Sequence, residues 1–333
     1  MKKIISILLI SLFLAASFAV GESQAASKSD KKPVILKYAG VLPYDHPTSR
    51  AIEEWAKHLE TKSGGKIVIQ LYHSGSMGKS TEVAEYLQDG TIAFSNISTA
   101  FFSGFNKKFD VFSLPYLFRD DKHMQAALTG DFGTMIKELL IKDGIRGLAF
   151  IDSGSRSVYT KGKAINSPSD MSGLKIRVMS KVAVNSMNAL GANGVPIPWG
   201  ELYTSLQTGV VDAAENNPPS IIAGKHYEVC TNYSLTQHFR TPDLFVISAS
   251  IYNKLGTELQ KVLNDSITDF LIPTQSKMFA DSTKKSMEQI TSLGMKINTI
   301  SNLSPFIEKT AIVRKEVAKS IGMMEWVNKI SNM

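Results

Sequence analysis

Apolar residues recur along this chain at two periods. Val34 to Val41 reads as a strand, and Ala51, Ile52, Trp55, Ala56 and Leu59 follow at helical spacing. Asp45-His46-Pro47 opens that helix, with Asp45 as cap and Pro47 in the first turn, and Gly64-Gly65 ends it. Ile67, Ile69 and Leu71 alternate as a second strand, Glu82 to Leu87 forms a short helix, and Ile92 to Ile97 forms a third strand. Strands alternating with helices predict a largely parallel sheet with helices on its faces. Helices fill His123 to Asp143, and Gly147 to Ile151 is a buried strand. A second α/β run begins near Ser153. It holds a strand at Lys175 to Val178, a helix to Leu190, a helix from Gly200 to Thr208 and a short strand at Val210-Val211. Leu244 to Ser248 is a further strand.

The tail differs. Leu259, Val262, Leu263, Ile267, Phe270 and Leu271 trace one helical face, and Met278, Met287, Ile290 and Leu293 extend it past a kink at Pro273. Such a helix would reach roughly 54 Å, more than one ordinary domain needs, so it is expected to run along two. The expected organisation is residues 33–152 plus 243–281 as one α/β domain and 153–242 plus 282–333 as another. Ligand pockets favour the cleft between such domains, and hinge closure over ligand is a known device.

Composition narrows the class. Of 333 residues, 43% are hydrophobic and 20% charged, which is ordinary for a globular protein. Lys2 and Lys3, an apolar run from Ile4 to Val20, and Ser23-Gln24-Ala25 read as a cleaved signal over residues 1–25. No later run is apolar for long enough to span a bilayer. The lone cysteine, Cys230, rules out an internal disulfide and is expected to be packed and inert; no lipid-attachable cysteine follows the signal. Together these point to a soluble protein exported to a periplasm. The net charge of +7, or +6 without Lys2, Lys3 and Glu22, is scattered, with no basic tract for nucleic acid.

Catalytic and cofactor signatures are not found. There is no G-x-S-x-G elbow, no H-E-x-x-H and no phosphate-binding glycine loop, and the six histidines are dispersed without metal-ligand spacing. The expectation is no cofactor and no metal, with an enzyme acting on sugar acids through an unrecognised site as the alternative. Arg177 lies in the short apolar segment Gly173-Leu174-Lys175-Ile176-Arg177-Val178, where burial is costly without an anion. It shares a strand face with Lys175, opposite Ile176, and either meets a ligand or ends in solvent or a structural ion pair. Arg156 sits where the chain crosses into the second domain, and taken alone it reads as a surface arginine. Asn216 stands at the carboxyl end of the strand after Gly209, where ligands sit in open α/β sheets. Trp199 offers a ring face to a sugar or packs into the core.

These segments together resemble the periplasmic solute-binding proteins of TRAP transporters, the DctP family. The resemblance covers essentially the whole chain after the signal. It includes Ser63-Gly64-Gly65-Lys66-Ile67, Gly78, Leu87-Gln88-Asp89-Gly90, Ser113 to Phe118 and, most specifically, Gly173 to Val178 and Glu201 to Asn216. It implies a two-domain fold of the type II periplasmic-binding-protein kind, with a hinge and a long helix spanning both domains. It also implies monomers that hand a small organic acid to membrane subunits driven by an ion gradient. By resemblance Arg177 pairs with the ligand carboxylate, Arg156 assists, Asn216 hydrogen-bonds the ligand with Asn217 beside it, and Trp199 packs on some ligands. In the first domain His46 is a ligand contact or a helix cap. Ser80 and Ser98 stand near positions where relatives can bear acidic groups. Hydroxyls there suit a polyhydroxylated acid, and the variant of Asp152 to Tyr159 with Glu215-Asn216-Asn217 is most similar to members that bind sugar acids such as glucuronate or galacturonate. C4-dicarboxylates, sialic acids and keto acids are alternatives, as is an organic-acid sensor that docks on a receptor.

Overall fold

The computed structural model of the chain describes residues 32–333; the signal expected over 1–25 lies outside the described residues. Among the described residues eleven strands form two sheets. They are β1 (Val34–Ala39), β2 (Ile67–Tyr72), β3 (Phe94–Ser98), β4 (Ile145–Ile151), β5 (Ser155–Thr160), β6 (Lys175–Val178), β7 (Asn193–Pro196), β8 (Ala213–Asn216), β9 (Asn232–Arg240), β10 (Asp243–Ser248) and β11 (Lys296–Asn298). The first sheet runs β2-β1-β3-β10-β4 and the second β11-β9-β5-β8-β6-β7.

Neither sheet is as parallel as expected. β1 pairs parallel with β2 and β3, but β10 enters antiparallel between β3 and β4. In the second sheet β5 runs antiparallel to both β8 and β9, while β6 is parallel to β7 and β8. The strands that return from the other sheet are the ones that arrive reversed, and local periodicity carries no information about that.

Alternation along each strand builds two cores per sheet. Tyr38, Phe94, Phe245 and Ile247 face one side of the first sheet, whereas Ala39, Ile97, Leu244 and Val246 face the other. On the first side the buried Trp55 meets Phe94 and Phe245 edge-on, at 5.4 and 5.0 Å between centroids, and its indole N–H donates to Ser266 Oγ at 3.0 Å. Helix Pro47–Lys62 is thereby fastened to the long helix. On the second sheet Val158, Ile176 and Ala213 face one core, and Tyr159, Ala214 and Tyr233 the other. The last helix, Met324–Ser331, returns Val327 and Ile330 to the core shared by Phe112 and Phe132 against the first sheet.

The chain crosses between the sheets at Asp152-Ser153-Gly154 and at Thr241-Pro242. Gly154 has φ +61°, and a Cβ there would lie 2.9 Å from the Phe279 ring, so only glycine suits this crossing. The long helix bridges the sheets as expected: Leu263, Ile267 and Leu271 join the first sheet's core, and Ile290 the second's. It runs as Gly256–Ser266, a π-helical turn Ile267–Leu271, and Ile272–Ser292, about 55 Å at 1.5 Å per residue. The interruption at Pro273 takes the form of that π turn, which accommodates a ring that cannot fit against the carbonyl of an ordinary preceding turn. Gln275 clamps the first crossing, accepting from Asp152 N–H at 3.2 Å and donating to Asp152 O at 2.9 Å.

Two local expectations change. The first helix is capped by His46, whose Nδ1 accepts from Thr48 N–H, and not by Asp45. Val210-Val211 is no strand: Gly209 at φ +79° starts a turn, Val210 is exposed, and the strand is Ala213–Asn216. Valine's strand preference yields there to the turn. Cys230 is buried, and burial pushes its thiol up to about 12, as suits a packed, unreactive group.

Candidate binding site

Two cavities adjoin between the sheets. The larger, of about 620 Å³, is lined by Pro198, Trp199, Gly200 and the Ser74–Glu82 turn, and reaches neither Arg156 nor Arg177. The smaller, of about 60 Å³, gathers polar chemistry from both sides. Val41, Ser80, Phe101, Met179 and Trp199 line both, so they are two parts of one cleft. The inner part contains seven of the eight residues singled out in the sequence: His46, Ser80, Ser98, Arg156, Arg177, Trp199 and Asn216. Asn217 stands apart. Its side chain caps helix Pro218–Ala223, accepting from Ser220 N–H at 2.8 Å and donating to Ser153 O at 2.9 Å, so it braces the crossing.

The two arginines are equally buried and differently occupied. Arg156, on β5, is gripped by Glu215 on β8: Nε donates to Oε2 at 2.5 Å, and Nη2 donates to Oε1 at 3.1 Å and to the Glu215 carbonyl at 2.9 Å. Burial alone would lower its pKa; the Glu215 charge and hydrogen bonds outweigh burial and hold it above the ordinary arginine value. Arg177, on β6, is 1% exposed and sits opposite Ala214 of β8, on the face away from Ile176. Its Nε donates to the Ile197 carbonyl at 2.8 Å, and its Nη1 has no hydrogen-bond partner among the described residues. Burial pushes this guanidinium down to about 10, with Glu215 opposing and Arg156 reinforcing, so it stays cationic at neutral pH. The solvent-facing alternative for Arg177 is thus excluded.

Neutral groups surround that charge. His226 is held by Tyr159, with 2.8 Å between Nδ1 and the phenol oxygen, and is pushed down to about 3 by burial and then by Arg177. His46 is pushed down to about 3 by burial; its Nδ1 accepts, so Nε2 carries the proton toward Ser220 Oγ at 3.4 Å. His46 therefore caps its helix and walls the cavity at once. Asn216 Oδ1 accepts from Asn217 N–H at 2.9 Å, which leaves its amide nitrogen as the donor available to the cleft. Trp199 lines the cleft, and its ring centroid lies 5.2 Å from that of His226. Gly224 permits that approach, since a Cβ there would lie 3.0 Å from the indole.

Three lining or supporting residues were not foreseen. Glu215 was visible as the acidic neighbour of Asn216 in a strand where alternate residues share a face. Asp243 opens β10 ahead of the apolar run Leu244 to Ile247, and Asn96 sits among the serines of β3. Asn96 Nδ2 donates to Asp243 Oδ2 at 2.8 Å, and Tyr38 donates to Asn96 Oδ1. Burial pushes Asp243 up to about 6, opposed by Asn96 and Arg156 and reinforced by Asp152.

This arrangement suits an anion-binding cleft: a pre-ordered cation, polar walls and parts supplied by two sheets. The profile of bacterial extracellular solute-binding proteins of family 7 matches residues 38–320. A "Solute-binding protein" of Chromohalobacter salexigens is 30% identical over 81% of this chain and 80% of its own. A TRAP periplasmic solute-binding protein of Anaerococcus prevotii, solved with bound D-glucuronate, is 32% identical, with TM-score 0.86 over 90% of this chain and 97% of that one. One from a Bradyrhizobium species, in complex with D-galacturonate, is 32% identical, with TM-score 0.86 over 90% of this chain and 100% of that one. Among the described residues no helix is long and apolar enough to cross a membrane. The chain belongs to the bacterial extracellular solute-binding proteins of family 7, the DctP family.

Proposed function

We propose that this protein is the periplasmic receptor of a TRAP transporter and captures a hexuronate such as D-glucuronate or D-galacturonate. One observation carries the reading: a buried arginine, Arg177, with an unpartnered Nη1 in a cleft between two sheets. A guanidinium offers parallel donors that match a carboxylate fork, and a charge-assisted bond is roughly twice as strong as a neutral one. Relatives of the same fold were solved with hexuronates, which supports the ligand class. Glu215 already occupies Arg156, so Arg156 supports the wall and Arg177 meets the carboxylate. Asn216 and His46 donate to ring or hydroxyl oxygens, and Trp199 packs on the sugar face.

The two lobes, residues 33–152 plus 243–281 and 153–242 plus 282–333, close over the ligand about the crossings at Asp152-Ser153-Gly154 and Thr241-Pro242. The closed form is the one the membrane subunits accept. The ligand leaves unchanged, since the cleft offers an anion site and no activated nucleophile. Titration calorimetry of wild type and Arg177→Ala with both hexuronates tests this. The variant is expected to lose about 2–5 kcal/mol of binding. Unchanged affinity in a folded Arg177→Ala protein would overturn the carboxylate assignment.

A further inference from the structure

Charge around the inner cavity is unevenly spent. Arg156 and Glu215 neutralise each other through three hydrogen bonds. His46 is neutral. Two lining groups remain with formal charge, Arg177 and Asp243, on opposite sheets. Asp243 is held in place from behind. Tyr38 fixes the carbonyl end of Asn96, which turns the amide N–H toward Asp243 Oδ2 at 2.8 Å. Directly opposite Asp243 in the antiparallel register stands Ser98, whose buried Oγ has no partner among the described residues. The first sheet therefore presents a fixed acceptor and a free hydroxyl to the same small space that Arg177 enters from the second.

We propose that Asp243 is a specificity-determining residue of this cleft: it accepts hydrogen bonds from hydroxyls of the bound acid and rejects ligands that carry a second carboxylate. The inference rests on the assignment of Arg177 as the carboxylate site and adds the other pole. A carboxylate accepts from several hydroxyls at once and repels a like charge at close range. A ligand with one carboxylate and many hydroxyls satisfies both poles. A dicarboxylate satisfies Arg177 and places its second charge against Asp243. Ser98, able to donate and accept, then serves a hydroxyl that Asp243 does not reach.

The test is calorimetry of wild type and Asp243→Asn with D-glucuronate and with D-glucarate, which bears a carboxylate at each end. Asparagine is isosteric and still accepts from Asn96, so the wall is retained. Wild type is expected to prefer glucuronate, and the variant to shift the glucuronate-to-glucarate affinity ratio roughly tenfold or more toward glucarate. Taking the ratio between two proteins removes the difference in shape between the two ligands. Hexuronate binding by wild type with an unshifted ratio in a folded variant overturns the role of Asp243 and leaves Arg177 untouched. Equal wild-type affinities for the two ligands also overturn it, whatever the variant does. Failure of wild type to bind either ligand removes the underlying assignment and this inference with it.

Discussion

The two walls of the cleft solve different problems. The wall from the second sheet carries its charges deep in strands: Arg156 on β5, Arg177 on β6 and Glu215 on β8 are each at most 3% exposed. The wall from the first sheet is built at strand ends and a helix cap, from His46, Ser80, Ser98 and the Asn96–Asp243 pair. Burying a charge costs several kcal/mol unless it is paired. The second wall meets that cost fully for Arg156 and leaves it partly unmet for Arg177. That leaves the cleft with an attraction for anions before any ligand arrives. The first wall holds the groups that, in the proposed reading, sort one anion from another.

The sharpest way to break this comparison is to exchange the fates of the two arginines. Glu215→Ala leaves Arg156 buried and unpaired, and is expected to destabilise the ligand-free protein by about 3–5 kcal/mol in denaturant unfolding. Arg177→Met removes a cation that lacks a full set of partners, and should leave ligand-free stability unchanged or higher. If the two variants unfold alike, the two arginines of the second wall do not differ in the way described.

Acid offers a second, smaller effect. His46 and His226 are pushed down to about 3 and His238 to about 4, all by burial first. An unfolded histidine titrates near about 6.5. Between these values the unfolded chain binds more protons, so stability is full above about pH 6.5 and falls as pH drops toward 4. Each histidine contributes up to about 1.4 kcal/mol per pH unit. Asp243, pushed up to about 6, acts the other way as it takes up its proton, and offsets one of the three. Thermal melting without ligand should therefore fall between pH 7 and pH 4.5. His46→Asn, which keeps a capping side chain and cannot titrate, should flatten that slope; the same slope in both proteins would show that His46 is not held neutral.

The smallest effect concerns the mouth of the cleft. Lys79, at the start of helix Ser80–Asp89, reaches Glu201 beside Trp199 at 2.8 Å, linking the two walls through solvent-exposed side chains. Exposed pairs contribute little and weaken with salt. Lys79→Ala should raise the ligand dissociation rate slightly at low salt and not at all at high salt, as stopped-flow fluorescence of Trp199 can measure. A large effect independent of salt would mean that the lobes are held together here and not by the ligand.

Much of this was legible from residues alone. Periodicity located most helices and strands because each buries one face, and the span of the long helix followed from counting apolar residues at a rise of 1.5 Å. Arg177 stood out because a charge in an apolar strand needs a reason, and Cys230 because a lone cysteine has few uses. Strand direction in the sheets was not legible, since antiparallel β10 and β5 have the same alternation they would have in parallel. The cap of the first helix was legible only as a choice between the adjacent Asp45 and His46, which geometry settles in favour of His46.

The sequence by itself determined the class of protein: local propensity and the placement of charged residues among apolar ones are properties of the chain, whatever its partners. Only the tertiary structure decided which arginine is free. Arg156 and Glu215 are 59 residues apart, and their bond exists because β5 and β8 lie side by side. It likewise decided that Asp243 and Arg177, from different sheets, share one cavity. Electrostatic energy depends on distance through space, and only the fold converts separation along the chain into that distance.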